Sequence, residues 1–258
     1  MDDAGERPVA VVIGGGNGIG AAVCRLMHER GWRVAVADID GGAAQRVAGD
    51  LETAAFGFDI ADEAAVEDAA KRIEGEVGPV AALVVAAAVF QDIAPTEDLP
   101  LAEWERILRI NLTGTLIANK AVGRRMVARR RGSIVNIASI AALGSMPAEA
   151  YGTSKAGVVH LTKNLAGEWG RAGVRVNAVS PGSTLVPRVE ERLKSGRYAA
   201  EPGDFTALGR MVEPQEVAEV VEFLASDRSS AMTGNNLVVD AGWRVASTWA
   251  QFGGVRKF

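Results

Sequence analysis

The feature that most constrains this chain is the regular alternation of short apolar runs with longer segments of helical periodicity. Runs such as Val9–Ile13 and 81–85 consist of Val, Ala, Ile and Leu, and a helical pattern follows each of them. Continuous apolar runs of this length are typical of strands buried on both faces, which occur in parallel sheets with helical crossovers. The chain therefore predicts an α/β fold.

Seven predicted strands alternate with helices. The strands are 9–13, 33–38, 56–58, 81–85, 132–137, 174–179 and 236–240. The helices are 18–30, 41–51, 63–76 with Asp62 as its cap, about 101–130, about 150–171, and one that begins near Pro214. This order predicts a doubly wound Rossmann-type parallel sheet flanked by helices. A length of 258 residues suits a single domain over 1–258.

Composition excludes several classes of function. A net charge of −4 and a pI of about 5.4 give no strong field for nucleic acid or an anionic membrane. The single cysteine and the two histidines make a zinc cluster or a histidine metal site improbable, so we expect no metal. The acidic N-terminus and the lack of an apolar run of ~18 residues predict a cytoplasmic protein without a membrane partner.

Two segments depart from the alternation. Residues 183–212 follow a strand directly and are rich in Pro and Gly, so we predict an irregular, mobile substrate lid, with an ordinary surface excursion as the alternative. The lid carries four cations. The simpler interpretation is that they are solvated at the surface, and the alternative is that they contact a carboxylate or phosphate group of the substrate. These cations are Arg188, Arg192, Lys194 and Arg197.

The C-terminal tail, residues 243–258, concentrates aromatic residues in an aromatic-poor chain. We expect these side chains to pack against the lid or another subunit, because exposed aromatic surface is unfavourable. They are Trp243, Trp249, Phe252 and Phe258.

A glycine-rich turn joins the first predicted strand to the first helix. Glycines there let backbone N–H groups approach a pyrophosphate at the helix N-terminus. A tight turn without a ligand is the alternative, but an acidic residue, Asp38, closes the second strand, as dinucleotide-binding units require. The predicted cofactor residues of this turn are Gly14, Gly16, Asn17, Gly18, Ile19 and Gly20.

Asp38 predicts NAD rather than NADP. Its carboxylate can accept both ribose hydroxyls of adenosine but repels a 2′-phosphate, and Asn17 and the neighbouring Ile39 supply no cation. Asp59, followed by Ile60, is placed to reach the adenine amino group, with a helix-entry cap as the alternative reading.

A phenol and an ammonium group, Tyr151 and Lys155, are four residues apart on one predicted helix. A phenol with a reference pKa of ~10 needs a shift of about three units to act near neutrality, and a neighbouring cation acts in that direction. Ser139 ends a strand nearby in sequence, and Asn111 lies in mid-helix, where asparagine is unfavourable unless it bonds something specific. These four residues are the predicted catalytic set.

With these motifs, the sequence resembles the classical short-chain dehydrogenase/reductase family over almost its whole length. The shared features are the glycine turn, Asp38, the catalytic set, 177–182 and 234–242. The resemblance implies that Tyr151 exchanges the proton and that Lys155 binds the nicotinamide ribose and lowers the phenol pKa. It implies that Ser139 orients the substrate oxygen and that Asn111 holds a water linked to Lys155. It also implies a homotetramer.

The chain departs from the family pattern at several positions. Ile13 replaces Thr before the glycine turn, and 85–88 reads Val-Ala-Ala-Ala instead of Asn-Asn-Ala-Gly, leaving backbone contacts at Ala87 and Ala88. Val186 replaces a Thr after Pro181 and Gly182, which are expected to line the nicotinamide pocket, and Thr184 is the substitute partner. Ser139 precedes Tyr151 by twelve residues rather than thirteen.

The sequence thus predicts an NAD-dependent oxidoreductase that interconverts a secondary alcohol, such as a cyclic diol or hydroxy acid, and a ketone. The partner is a small-molecule alcohol or ketone. The alternatives are a 3-oxoacyl-type reductase, which the choice of NAD disfavours, and a dinucleotide-binding sensor without catalysis.

Overall fold

The computed structural model of the protein describes residues 7–196 and 200–256. The strands are β1 (Val9–Ile13), β2 (Arg33–Asp38), β3 (Ala54–Gly57), β4 (Val80–Val85), β5 (Gly132–Ile137), β6 (Val174–Pro181) and β7 (Asn236–Val239). The α-helices are α1 (Gly18–Glu29), α2 (Gly41–Asp50), α3 (Glu63–Glu76), α4 (Leu101–Leu108), α5 (Gly114–Arg129), α6 (Glu149–Trp169), α7 (Pro187–Lys194), α8 (Pro214–Ala225) and α9 (Trp243–Ala246).

The seven strands form one parallel sheet in the order β3-β2-β1-β4-β5-β6-β7. The prediction of a doubly wound Rossmann-type sheet is confirmed. The strand order reverses between β1 and β4, whose pairing sets Ile13 beside Val85. In open sheets of this kind, ligands bind outside the carboxyl ends of the strands at such a reversal.

Helices cover both faces of the sheet. On one face α1, α2 and α8 pack a core that includes Leu26, Leu224 and Val12 of β1. On the other face α3, α5 and α6 pack a second core that includes Met126 and Val11 of β1. Neighbouring strand residues point to opposite faces, and both faces are buried, which is why the strands read as continuous apolar runs.

Local signals placed the helix boundaries well. Asp62 caps α3, as predicted, and its carboxylate accepts the N–H groups of Ala64 and Ala65. The long helix predicted over 101–130 is present, but it contains a π-helical turn at Arg109–Thr113 between α4 and α5. Such turns are rare inside helices and frequent at functional sites.

The predicted irregular character of segment 183–212 is wrong in part, because the segment contains α7. Pro187 occupies the first turn of this helix, where proline has no N–H to leave unpaired. The ends of the segment are joined, since the Leu185 N–H donates to the Val212 carbonyl at 2.8 Å and the Val212 N–H to Ser183 at 2.9 Å. Arg197, one of the predicted lid cations, lies outside the described residues.

The lid segment contacts the chain just before the tail. The Leu208 N–H donates to the Ala241 carbonyl at 3.1 Å. Farther along, Trp249 and Phe252 are 54% and 82% exposed. The lid does not bury these two side chains fully, and their burial by another subunit stays a prediction. Phe258 lies outside the described residues.

The contact between α5 and α6 supplies a test of the packing. A Cβ atom at Gly123 would lie 2.5 Å from Cζ3 of Trp169, far inside van der Waals contact. We expect Gly123→Ala to lower the free energy of unfolding by about 1–3 kcal/mol, because overpacking outweighs the better helix propensity of alanine. Urea unfolding measures the change.

The matched control is Gly167→Ala on α6, where an added Cβ meets nothing within 4 Å. This variant should be as stable as the parent or more stable by up to about 1 kcal/mol. Equal stability of the two alanine variants would contradict the packing of Gly123 against Trp169.

Candidate active site

The glycine turn after β1 is required by a close approach of two backbone segments. Gly14 has a φ of +85°, and a Cβ there would lie 2.4 Å from the Ala87 nitrogen. A Cβ at Gly20 would lie 2.0 Å from the Gly14 oxygen. The Ile13 carbonyl accepts the N–H groups of Ala86 and Ala87 at 2.8 and 2.9 Å. The turn and the end of β4 thus touch without side chains between them, at the point where the strand order reverses.

The N-terminus of α1 lies at the wall of a cavity beside this turn. Gly18, Ile19 and Gly20 form its first turn and line the cavity. Asn17 precedes them and makes no side-chain capping bond, and the first turn holds no acidic residue. The free N–H groups and the helix dipole therefore favour an anion such as a pyrophosphate here.

Asp38 ends β2 next to the turn. Its Oδ2 accepts the Gly16 N–H and its Oδ1 accepts the Asp40 N–H, both at 3.0 Å. These backbone donors fix the carboxylate while each oxygen keeps a further lone pair for a ligand hydroxyl. The adjoining cavity residues Asn17 and Ile39 are uncharged. A carboxylate held in this way can accept hydroxyl groups of a ligand at this end of the cavity.

The cavity has a volume of about 670 Å³ and joins this end to Tyr151. Asp59 lines it, and its Oδ1 accepts the Ala61 N–H at 2.9 Å. The alternative of a helix-entry cap is wrong for Asp59, because Asp62 caps α3. Its contact with adenine stays a prediction. The predicted residues that line it are Gly14, Asn17, Gly18, Ile19, Gly20, Asp38, Ile39, Asp59, Ile60, Ala87, Ala88, Ser139, Tyr151, Lys155, Pro181, Gly182 and Thr184. Gly16 and Asn111 are not among the lining residues, and Gly16 contacts the cavity residue Asp38 through its N–H.

Helix α6 places Tyr151 and Lys155 on one face, and both side chains are buried, at 8% and 2% exposure. The Lys155 Nζ lies 5.9 Å from the centre of the Tyr151 ring. It donates a hydrogen bond to the Ile137 carbonyl at 2.8 Å. The structure therefore brings the predicted phenol and ammonium groups together at the cavity wall.

Burial dominates the acidity of both groups. It raises the pKa of Tyr151 to about 12, against the hydrogen bond with Ser139 and the positive charge of Arg188, which lower it. Burial also lowers the pKa of Lys155 to about 8. The resemblance implies a phenol pKa lowered by Lys155, and in the chain alone the opposite effect of burial is larger.

Ser139 stands at the end of β5. Its Oγ accepts the Ala141 N–H at 3.1 Å, which caps the short turn that follows the strand. The same side chain hydrogen bonds with the phenol of Tyr151. Two hydroxyl groups therefore meet at one point of the cavity, where they can hold one substrate oxygen.

Asn111, in the π-helical turn, is completely buried. Its Oδ1 accepts the Val89 N–H at 2.8 Å, and its Nδ2 donates to the Val89 carbonyl at 2.9 Å and to the Ser154 Oγ at 3.1 Å. The Asn111 carbonyl accepts the Thr115 hydroxyl at 2.6 Å. Asn111 thus ties the loop after β4 to α6, while the water implied by the resemblance stays a prediction.

Sequence reasoning missed the loop after β4. The Phe90 ring stacks on Tyr151 with the ring centres 4.7 Å apart. Gln91 is buried, and its Oε1 accepts the Ala150 N–H at 2.8 Å while its Nε2 donates to Glu149 at 3.0 Å. Both residues position the start of α6. The one available signal was an aromatic residue just past a strand end in an aromatic-poor chain.

Within residues 7–196 and 200–256, no group of three or more His, Cys, Asp or Glu side chains could hold a metal ion. No helix in those same ranges has the length and apolarity to cross a membrane. The site consists of hydroxyl, amine, carboxylate and backbone groups.

Such a sheet, with a glycine turn at its reversal and a carboxylate after β2, is found in dinucleotide-dependent oxidoreductases, and this is the class that the fold and site define. The family model described as enoyl-(acyl carrier protein) reductase matches residues 14–244. With the relatives below, this match shows that the chain belongs to the classical short-chain dehydrogenase/reductase family. Members of this family generally bind a nicotinamide dinucleotide.

Two curated relatives align over nearly the whole chain. D-threitol dehydrogenase of Mycolicibacterium smegmatis is 37% identical and covers 93% of this chain and 94% of its own. Cis-4-hydroxycyclohexanecarboxylate dehydrogenase of Sinomonas cyclohexanicum is 38% identical and covers 94% and 99%. Both are named as dehydrogenases of alcohols.

A solved structure titled ribose-5-phosphate isomerase, from Brucella melitensis 16M, is 46% identical, with a TM-score of 0.94 over 97% of this chain and 98% of that one. Its title names an isomerase, whereas the curated relatives are named dehydrogenases. The isomerase activity is named for the Brucella protein alone.

The buried lysine predicts a pH-dependent stability. The pKa of Lys155 is lower in the folded chain than in the unfolded chain, so its burial penalty is complete below pH 8 and disappears as pH rises through the unfolded pKa. We expect Lys155→Met to raise the free energy of unfolding by about 1–3 kcal/mol at pH 7 and by much less near pH 10. Urea unfolding of the two proteins across this range measures the difference.

The matched control is Lys163→Met, at an exposed position of the same helix. Its difference from the parent should not vary over this pH range. If Lys155→Met were no more stable at pH 7 than at pH 10, relative to the parent, the burial penalty would be absent.

Proposed function

We propose that the protein is an NAD-dependent dehydrogenase that interconverts a secondary alcohol and a ketone, with Tyr151 as general acid and base. The observation that carries the proposal is the burial of Tyr151 beside Lys155 in the cavity that the glycine turn opens. The two curated relatives support it, because both are named as dehydrogenases of alcohols.

Each residue of the site has its own role in the proposed reaction. A nicotinamide dinucleotide bound in this cavity would supply the acceptor for the hydride of the carbinol carbon, or the hydride donor for the carbonyl carbon in the reverse direction. Tyr151 takes the hydroxyl proton as the hydride leaves, so the carbinol loses one hydride and one proton and becomes a ketone. Ser139 hydrogen bonds the same oxygen, and the positive charge of Lys155 stabilises the phenolate.

The acidity of the phenol determines when it can act. With a pKa near 12, Tyr151 is protonated at neutral pH and is ready to donate a proton to a ketone. Alcohol oxidation requires the phenolate, which burial disfavours. We propose that the positive charge of the bound oxidised cofactor, added to that of Lys155, lowers the pKa of the phenol to the working range.

Asp38 supports NAD as the cofactor. Its oriented carboxylate accepts ribose hydroxyls and repels a phosphate, and Asn17 and Ile39 beside it bring no positive charge. A 3-oxoacyl-type reductase that uses NADP is the alternative that this residue disfavours.

A sensor without catalysis is the alternative from another class, and the departure at 85–88 favours it. The backbone contacts of that segment nevertheless remain, since Ala86 and Ala87 both bond Ile13. The cytoplasmic location, the homotetramer and the lid function of 183–212 stay predictions.

Tyr151→Phe removes one oxygen atom and tests the proposal directly. We expect NAD reduction by the active members of a panel of cyclic diols, polyols and hydroxy acids to fall by about 10²–10⁴-fold, the usual contribution of a general acid or base. NAD affinity, measured by calorimetry, should stay within about twofold. Turnover that survives in the variant would overturn the role of Tyr151, and a parent protein that binds NAD but oxidises no alcohol would favour the sensor.

Asp38→Ser tests the choice of cofactor. The variant loses acceptors for the ribose hydroxyls and the repulsion of a 2′-phosphate, so the ratio of NADP to NAD affinity should rise by about tenfold or more. Asp50→Asn, an exposed carboxylate at the end of α2, is the control and should leave the ratio unchanged. Comparable affinity of the parent for both cofactors would refute the role of Asp38.

A further inference from the structure

The end of the cavity beyond Tyr151 has a distinct charge pattern. Its walls come from the loop after β4, from residues near 146–148 and from α7. Among the described lining residues the carboxylates are Asp38 and Asp59, and both belong to the opposite, adenosine end. The lining residues that α7 contributes include two cations, Arg188 and Arg192. A group bound at this end therefore meets positive charge.

Arg188 lies close to the reacting groups. Its Cζ is 3.7 Å from the centre of the Phe90 ring, and that ring is stacked on Tyr151 at 4.7 Å with 19° between the planes. The guanidinium of Arg188 is thus connected to the phenol ring of Tyr151 through a single aromatic ring, that of Phe90. Consistent with this, the charge of Arg188 lowers the pKa of Tyr151.

The stack also orders the cation. Contact with an aromatic ring uses the face of a guanidinium, and its N–H donors lie along its edge. Arg188 is half-buried in the first turn of α7, so ordering its side chain on Phe90 reduces the entropy lost when it binds a ligand. A planar, oriented fork of donors matches a carboxylate, which it can bind through two parallel hydrogen bonds.

Arg192 has a different position. It pairs with Asp92 at 3.2 Å, and Asp92 is 94% exposed, so this ion pair lies at the mouth of the cavity. The pair ties α7 to the loop that carries Phe90. Arg192 thus anchors the helix, and Arg188 is the cation held over the aromatic pair.

We infer that Arg188 binds a carboxylate of the substrate, so that the substrate is a hydroxy acid with its hydroxyl at Tyr151 and its carboxylate at Arg188. The inference rests on the proposed function and names the substrate class of the same site. Ile93 and Met146, which line this end, supply apolar surface for the carbon skeleton between the two groups. The relatives leave the choice open, because one is named for a neutral polyol and the other for a hydroxy acid.

The test compares an acid with its uncharged ester. The probes are cis-4-hydroxycyclohexanecarboxylate and its methyl ester for turnover, and cyclohexanecarboxylate and its methyl ester for calorimetric binding to the NAD complex. The parent should favour the acid in both. In Arg188→Gln, the ratio of kcat/KM for the acid to kcat/KM for the ester should fall by about tenfold to a hundredfold, mainly through KM of the acid. Arg188→Lys should retain part of the preference.

The matched control is Lys194→Gln, which removes one positive charge from the same helix at a side chain that is 81% exposed. It should leave the ratio of acid to ester unchanged. A general change in the acidity of Tyr151 would affect acid and ester equally, so only a binding role for Arg188 changes the ratio.

The outcomes separate this inference from the proposed function. Tyr151→Phe should abolish turnover of both probes but keep the binding preference for the acid. A parent protein that binds neither acid, or that binds acid and ester equally, would overturn the inference while leaving the dehydrogenase role intact. If Arg188→Gln lowered the affinity for NAD and left the preference for the acid unchanged, Arg188 would contact the cofactor, and the inference would be overturned.

Discussion

The burial of an ammonium group beside a phenol is the constraint on which the site depends. The ammonium group of Lys155 is removed from water and makes one described hydrogen bond, to the Ile137 carbonyl. The loss of hydration lowers its pKa. Such a group stays in place only if its helix is fixed on several sides. Gln91 holds the start of α6 through Ala150, and Asn111 holds the next turn through Ser154. Stability is given up here for chemistry, as is common at active sites.

The second constraint is the contact between the glycine turn and the end of β4. This contact requires glycine in the turn, because a Cβ atom there would overlap the backbone after β4. One continuous cavity lies beside it, and its two ends differ chemically. The end at Asp38 carries a carboxylate, and the far end carries the guanidinium of Arg188. The departures at Ile13 and 85–88 remove polar side chains but not the backbone bonds between these segments. The altered motif is therefore compatible with the same architecture.

Periodicity and local chemistry predict most of the fold. Some features depend only on residues that are close together in the sequence, which displays them directly. They are the seven apolar runs, the Asp62 cap and the spacing of Tyr151 and Lys155. What sequence reasoning missed depends on distant contacts. Phe90 meets Arg188 across roughly a hundred residues, and no local pattern encodes that pairing. The helix α7 was missed because a proline marks a helix start and an interruption equally well.

We propose that burial keeps Tyr151 protonated until the charge of the bound cofactor lowers its pKa, and a titration of tyrosinate absorbance tests this without a substrate. The sequence contains two tyrosines, so subtracting the spectrum of Tyr151→Phe isolates this phenol. We expect Tyr151 to ionise near pH 12 in the free protein and at a pH lower by about one unit or more when NAD is bound. An ionisation that NAD leaves unchanged would contradict this role of the cofactor's charge.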